Sequence, residues 1–359
     1  MYIRKIFLSN FRSFSEKLLE FSPKTTVIVG PNAIGKTNIL ESIYLISTGK
    51  SFRAKIEEEM IAYDEEIARV KALIANPEDE TKLMVVLTRG EINIGTTQVE
   101  KVARKRQLVN EVGKRLIDFS GIYKVVLFGP WDMDLVTESP SIRRRFLDAV
   151  LSQGEREYRR AILSYEKGLK QRNRLLLRIR EEGLSRSQLL FWDKLLIKNG
   201  DYISSKREEF IDYVNQTKGL KGISFCVYYD KSSISEARLE HYAQEEVAAA
   251  TTLVGPHRDD FIFQVFEDGE KNKRDLARFG SRGEQRMGVL WLKLAELSYI
   301  EKVTNEKPTL LLDDIFSELD HEHRDIVFEK SKDQQTIITT ADPHYLEGLK
   351  GVVKIKLVG

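Results

Sequence analysis

Cysteine is nearly absent from this chain: Cys226 stands alone, so no internal disulfide framework is available. That excludes the small disulfide-stapled secreted folds and fits a reducing compartment. Long apolar runs are missing too, since no stretch approaches the roughly 20 apolar residues that cross a bilayer. The N-terminal MYIRKIFLSNFRSF has its apolar residues interrupted by Arg4, Lys5, Asn10 and Arg12, and so lacks the unbroken core of a signal peptide. These absences predict a soluble, cytoplasmic protein. There is no His/Cys cluster to suggest zinc, no internal repeat, no low-complexity segment, and no aromatic-rich run that would suggest base stacking. Net charge is small, +2 over 359 residues, but it is unevenly spread. From 143 to 180 twelve Lys and Arg stand against four Asp and Glu; from 296 to 329 three stand against ten, so the middle is basic and the end acidic.

An apolar content of 42% with 9% aromatics supports a sizeable core, in two domains or in one large domain with an insert. The first part reads as strands, with alternation over 2 to 8, a β-branched run KTTVIVG, and the runs ARVKALIA, KLMVVLT and YKVVLF between 67 and 129. A helical pattern from Gly35 to Ser47 interrupts them. From Ser139, an N-cap candidate with Pro140 after it, long helical periodicity runs to about Gln216, with breaks near Gly154 and Gly183. Strand character returns in GISFCVYY and DFIFQVF. The last hundred residues read helix (284 to 303), strand (309 to 313), helix (321 to 331), strand (335 to 340), short helix and final strand, the alternation of a parallel sheet.

The most informative stretch is GPNAIGKT, which fits G-x-x-x-x-G-K-[ST] between a β-branched strand and a helix. Gly30, Pro31, Asn32, Ala33, Ile34 and Gly35 form a loop whose backbone amides can curl around phosphate oxygens. Lys36 brings positive charge to the β and γ phosphates, Thr37 offers a hydroxyl to Mg²⁺, and Asn38 follows in the first turn. ATP with Mg²⁺ is the expected cofactor. A second part is PTLLLDDIFSELD, an apolar run ending in two acids: Asp313 is placed to hold Mg²⁺ and Asp314 to orient or deprotonate the attacking water. A third is FGSRGEQRM, where Ser281 and Glu284 make an S-x-x-E capping box around Arg282 and Gly283. It leaves a bare, positive helix N-terminus open to an anion.

SRGEQ before a helix, followed by LLLDDIFSELD, resembles the signature motif, acidic strand and D-loop of ABC-type ATPases. In that class the signature helix of one head completes the nucleotide site of another. The resemblance therefore implies that Ser281, Gly283, Glu284 and Gln285 meet the γ-phosphate across a homodimer, with Ser317 and Asp320 along the same interface. Further stretches, LSNFRSF, GPNAIGKTNILESIYLISTGKSFR, FGPWDMDLV with SPSIRRRFLDAVL, LVGPHRDDF and FGSRGEQR, resemble the RecF family in the same order over nearly the whole chain. The resemblance adds Arg12 of LSNFRSF to the nucleotide-binding set. It implies an α/β fold: an ABC-type ATPase head of mixed and parallel sheets with flanking helices, formed by 1–130 and 250–359, with an inserted helical arm at 131–249. It also implies ATP-dependent binding of DNA at junctions of double and single strands in gaps, acting with RecR, and through it RecO and RecA, in recombinational repair.

Three positions depart from the ABC-type pattern. Asp314 stands where Glu is usual, one methylene shorter, so slow hydrolysis is expected and Asp314→Glu should raise turnover. The switch histidine is replaced by Thr340, with His344 out of register. The Mg²⁺-sensing glutamine has no clear match, leaving Asp132 of GPWDM as the candidate. A membrane-transporter subunit and a non-hydrolysing ATP switch are the alternatives. The 244 residues between Lys36 and Ser281 argue against the first, and the paired acids against the second.

On a helical wheel Arg156, Arg160, Lys167, Lys170, Arg174 and Arg178 share one stripe, opposite Tyr158, Ile162, Tyr165, Leu169, Leu176 and Ile179. A solvated charged face is the ordinary reading of such a stripe. Its i+4 neighbours are mostly of like sign, so pairing within the helix is not expected to explain it, and contact with DNA phosphates is the alternative. GPHRDD, 255 to 260, reads as a structural turn in which Asp259 pairs with Arg258; a DNA- or nucleotide-facing role for His257 and Arg258 is the other possibility.

Overall fold

The computed structural model describes residues 1–359 except 95–97, 221, 268–271, 318, 320, 343, 345–350 and 358–359. The chain forms two compact units, Met1–Trp131 with Ile300–Gly359, and Asp132–Tyr299.

Two sheets build the first unit. The strand Tyr2–Phe11 pairs antiparallel with Phe14–Glu20 on one side and Ile67–Ala75 on the other, at the start of a six-stranded antiparallel sheet. The second sheet is parallel throughout, in the order Val125–Phe128, Thr309–Asp313, Thr336–Thr340, Thr25–Val29, Val353–Lys356. Its central strands, Thr309–Asp313 and Thr336–Thr340, are buried at every residue, which is why they read as continuous apolar or β-branched runs instead of alternating ones. The helix Lys36–Thr48 shares one core with both sheets: Ile39, Leu40, Ile43 and Ile46 pack in the same cluster as Ile6, Leu8, Val70, Val85, Leu127, Leu311 and Ile337. The sheets are also joined by a polar clasp. Buried Gln335 donates to the carbonyls of Ile3 (2.7 Å) and Ser22 (2.8 Å) and accepts from the Ile3 N–H (2.8 Å).

The second unit is mainly helical. Pro140–Gly154 is followed by Arg156–Glu182 and Leu190–Asn215, two long helices that pack against each other. The 27 residues of Arg156–Glu182 span about 40 Å at 1.5 Å per residue. Gly183 ends that helix with a left-handed φ of 68°, its N–H returning to the Ile179 carbonyl. A three-stranded antiparallel sheet, Ile223–Asp230, Asp260–Glu267 and Arg274–Asp275, completes the unit with the helix that begins at Arg282. Residues 250–299, which sequence reading groups with the N-terminal residues, cluster here with the long helices. The cause is the full-length pairing of Asp260–Glu267 with Ile223–Asp230, whose partners lie 30 or more residues away. Among the described residues no helix is long and apolar enough to cross a membrane.

Candidate functional site

The phosphate loop lies between the strand Thr25–Val29 and the helix starting at Lys36. Ala33 and Gly35 take left-handed φ values of 63° and 101°. At Gly35 a Cβ would also come within 2.7 Å of the Phe14 ring, so glycine is required there on both counts. Pro31, Asn32 and Ala33 are exposed, while Lys36 is buried and donates to the carbonyls of Gly30 (2.7 Å) and Pro31 (2.9 Å). The Thr37 hydroxyl donates to Asp313 Oδ2 at 2.8 Å. The other oxygen, Oδ1, accepts from Thr339 at 2.5 Å. Asp314 follows with φ 51°, its N–H bonded to the carbonyl and the hydroxyl oxygen of Thr339, both at 3.2 Å. Aspartate and asparagine tolerate left-handed backbone better than most residues, which gives a physical reason for Asp at this position in place of Glu.

Arg12 is engaged close by. Its guanidinium clasps the buried carboxylate of Glu41 bidentately (2.8 and 2.7 Å), and Arg53 (3.0 Å) and Ser51 (2.6 Å) share that carboxylate. Asn38 donates to Ser13 (2.8 Å) and accepts from Arg53. Sequence reading missed Glu41, Arg53, Ser51 and Thr339. The hydroxyl pair at the end of TIITT was the available signal for the last.

In the second unit the capping box is formed: Glu284 N–H donates to Ser281 Oγ (3.2 Å) and Ser281 N–H to Glu284 (2.7 Å). Ser281, Arg282 and Gly283 are exposed. Gln285 is instead buried, donating to the carbonyls of Leu276 (3.2 Å), Ala277 and Gly280 (both 3.4 Å) that lead into the helix. In the first unit, Ser317 ends the short turn Ile315–Ser317, and Asp320 lies outside the described residues. Asp132 is buried 3.9 Å from the Lys293 ammonium, which also bonds Glu296 at 2.5 Å. Burial lifts the Glu296 carboxyl to about 7, against the opposing pull of Lys293. Asp132 thus has a cation of its own protein as neighbour, and no group of three or more His, Cys, Asp or Glu able to hold a metal occurs among the described residues. Thr340, at the switch position, makes a turn with Asp342, accepting from its N–H at 3.2 Å.

All six cations of the predicted stripe are exposed on Arg156–Glu182, and Tyr158, Tyr165, Leu176 and Ile179 opposite them are buried. The expectation about pairing needs correction: Arg160 bonds Glu157 and Arg178 bonds Glu182 within the helix, at the i−3 and i+4 positions. Both are solvent-screened pairs that another anion can replace. Among the described residues no carboxylate lies within ion-pair distance of Lys167, Lys170 or Arg174.

GPHRDD is also corrected. Asp259, fully buried, pairs with Arg207 (2.9 Å), and Arg258 bonds the Thr252 carbonyl (3.1 Å). Asp259 accepts as well from Tyr229 and from the Ser232 N–H (2.7 Å). Asp260 takes both arms of Arg143 (2.6 and 3.0 Å), Arg144 donates to the Asp259 carbonyl (2.8 Å), and Asp148 pairs with Arg207 (2.8 Å). RRRFLD and GPHRDD are therefore two halves of one buried ionic network that fastens the long helices to the sheet. Gly255, at φ 125°, has no room for a side chain, because a Cβ would sit 2.3 Å from the Tyr165 hydroxyl.

His257 lies inside this network, with Nδ1 2.8 Å from the Tyr165 hydroxyl and Nε2 3.0 Å from the Thr252 carbonyl. Burial pushes its imidazole from 6.5 down to about 4. Between those values the unfolded chain binds a proton that the folded chain refuses, so this group's contribution is full above pH 6.5 and is lost as pH falls toward 4. Glu296 acts in the opposite direction, since its raised value makes the folded state the better proton acceptor. Comparing His257→Gln with wild type cancels that contribution. Thermal melts from pH 7 to 4 should show a shallower loss in the variant; parallel loss would contradict the assignment.

A parallel sheet with a phosphate loop and an acidic strand, and a helical insert leading to a capped helix N-terminus, define an ABC-type ATPase head with a helical arm. The Smc head domain derived from Pyrococcus yayanosii shares this fold at 15% identity and a TM-score of 0.53, over 98% of this chain and 94% of that one. The chain belongs to the RecF family: the model for the RecF/RecN/SMC N-terminal domain matches residues 2–358, and curated RecF proteins match nearly end to end. The DNA replication and repair protein RecF of Herpetosiphon aurantiacus is 34% identical, covering 95% of this chain and 94% of the relative. That of Clostridium beijerinckii is 35% identical over 95% and 92%. A solved structure of the recombination mediator protein RecF-ATP in the RecFOR pathway superposes with a TM-score of 0.85 at 30% identity, covering 99% of this chain and 95% of that one.

Proposed function

We propose that this protein binds DNA in an ATP-dependent manner during recombinational repair. ATP joins two copies by a sandwich between Lys36 of one and Ser281 of the other, and slow, DNA-stimulated hydrolysis separates them. The observation that carries this reading is the 2.8 Å bond between Thr37 and Asp313, which brings phosphate loop and acidic strand together from 276 positions apart. A hydroxyl and a carboxylate are hard oxygen donors of the kind Mg²⁺ selects, so the residues fit that ion, with Thr37 and Asp313 holding it directly or through water. The ion would supply neutralisation of the β and γ phosphate charge. Lys36 exchanges its two loop carbonyls for phosphate oxygens when nucleotide enters. Asp314 orients or deprotonates the attacking water. The exposed N-terminus offers the Ser281 hydroxyl and the amides of Arg282 and Gly283 to the γ-phosphate of a second copy, since the Ser281 amide is already held by Glu284.

The arm supplies the DNA face. Its cations contact phosphates, which gives affinity without base readout, and junction preference then comes from shape. RecR, with RecO and RecA beyond it, are the partners that family membership suggests. Reversing Arg160, Lys167 and Arg174 to Glu should abolish binding to a gapped duplex while ATP binding stays intact. Neutralising the same three residues to Gln, which removes three phosphate contacts without adding repulsion, should weaken binding and flatten the dependence of log affinity on log salt by roughly 3. Fluorescence anisotropy across a salt series reads both quantities, and an unchanged affinity and slope would remove the arm from DNA binding.

A further inference from the structure

Thr339 is the residue that ties the two acids of the candidate site together. Parallel pairing sets it directly beside Asp313, on the next strand of the sheet. A hydroxyl has one proton to give and lone pairs to receive, and both are used. The proton goes to Asp313 Oδ1 at 2.5 Å, and a lone pair takes the Asp314 N–H at 3.2 Å. Because Thr37 holds Oδ2 from the opposite side, both oxygens of a carboxylate only 3% exposed are fixed in direction. The Asp314 contact meanwhile supports a left-handed backbone at φ 51°, which aspartate adopts only at a conformational cost.

A packing role would explain a β-branched residue here, because the strand is fully buried and valine fills nearly the same volume. It would not explain a hydroxyl aimed at a carboxylate, when buried Thr309 of the neighbouring strand bonds Gln335 and buried Thr336 of the same strand lies nearest the Ser331 carbonyl. We propose that Thr339 is a positioning residue for the metal-nucleotide complex: it orients Asp313 toward the ion and fixes the turn that carries Asp314. The inference rests on the ATP and Mg²⁺ reading above. Groups that orient a metal-facing ligand typically change metal affinity by 10- to 100-fold when removed.

The test compares Thr339→Val, which keeps the shape and loses the hydroxyl, with Thr339→Ser, which keeps the hydroxyl. Binding of a fluorescent ATP analogue is titrated against Mg²⁺ in the full-length protein, with a parallel titration in EDTA. Val should raise the Mg²⁺ concentration for half-maximal metal-dependent binding by about 10- to 100-fold. It should leave metal-free nucleotide affinity unchanged, and Ser should restore the wild-type midpoint. Electron paramagnetic resonance of Mn²⁺ with ATP should report the same weakening without any turnover. If Val fails to fold, Thr339→Ala takes its place in both titrations. A Mg²⁺ midpoint unmoved in the variant overturns the inference while the ATP reading stands; a wild type with no metal-dependent ATP binding overturns the ATP reading itself.

Discussion

Arg207→Met should destabilise the protein by about 3–5 kcal/mol, the usual cost of leaving a buried carboxylate without its cation. Arg207 is 1% exposed, and its guanidinium donates to Asp259 (2.9 Å), Asp148 (2.8 Å) and the Pro256 carbonyl (2.7 Å). Burial disfavours its charge, yet Asp148, Tyr158 and Asp259 together hold its pKa well above the ordinary value. Methionine fills much of the volume, so the loss reflects charge and hydrogen bonding more than a cavity. Asp259 would keep only Tyr229 and the Ser232 N–H, in a site that water does not reach. The same change at exposed Arg160, whose carboxylate partner is equally solvated, should alter stability little. Urea unfolding of the two variants beside wild type decides the matter. A midpoint for Arg207→Met as close to wild type as that of Arg160→Met would show that the network has no structural weight.

Asp314→Asn should lower ATP turnover by about 10²–10⁴-fold, the range over which a positioned acid or base contributes. The substitution keeps the size of the side chain and a residue type suited to the left-handed φ of 51°. It removes only the negative charge that would accept a proton from water. Lys36, Thr37 and Asp313 are untouched, so nucleotide affinity should be retained. Single-turnover phosphate release, with and without gapped duplex, measures the chemical step, and equilibrium binding measures the rest. Equal loss of both would mean that Asp314 acts through the fold of the loop and not through chemistry.

What the sequence made legible was local. The phosphate loop, the acidic strand, the capping box and the outward stripe of cations each depend on spacings of a few residues, and backbone geometry translates such spacings directly into neighbouring positions. The ABC-type head and its helical arm were what the resemblance carried by these motifs implied. Partner choice across long separations was not legible. Asp259 had an arginine immediately before it, but chain direction in the turn Pro256–Arg258 sends Arg258 to the Thr252 carbonyl, while a helix 52 residues earlier brings Arg207 to the acid. Likewise the grip of Arg12, in the turn after the first strand, on Glu41 of the helix Lys36–Thr48, and of Thr339 on Asp313 of the next strand, depends on which elements become neighbours. Periodicity within a segment says nothing about that. The grouping of 250–299 with the arm has the same origin, since a strand's affinity for a distant partner leaves no mark on its own alternation.

In the proposed cycle nucleotide is the bridge between two copies. Sedimentation equilibrium of Asp314→Asn with saturating ATP and Mg²⁺, beside the same variant carrying Ser281→Arg, tests this most directly. The first protein should sediment as a dimer with ATP and shift toward monomer with ADP, and the second should stay monomeric while still binding ATP. A strictly monomeric Asp314→Asn protein at high concentration, with its nucleotide site filled, would contradict the sandwich and the cycle built on it.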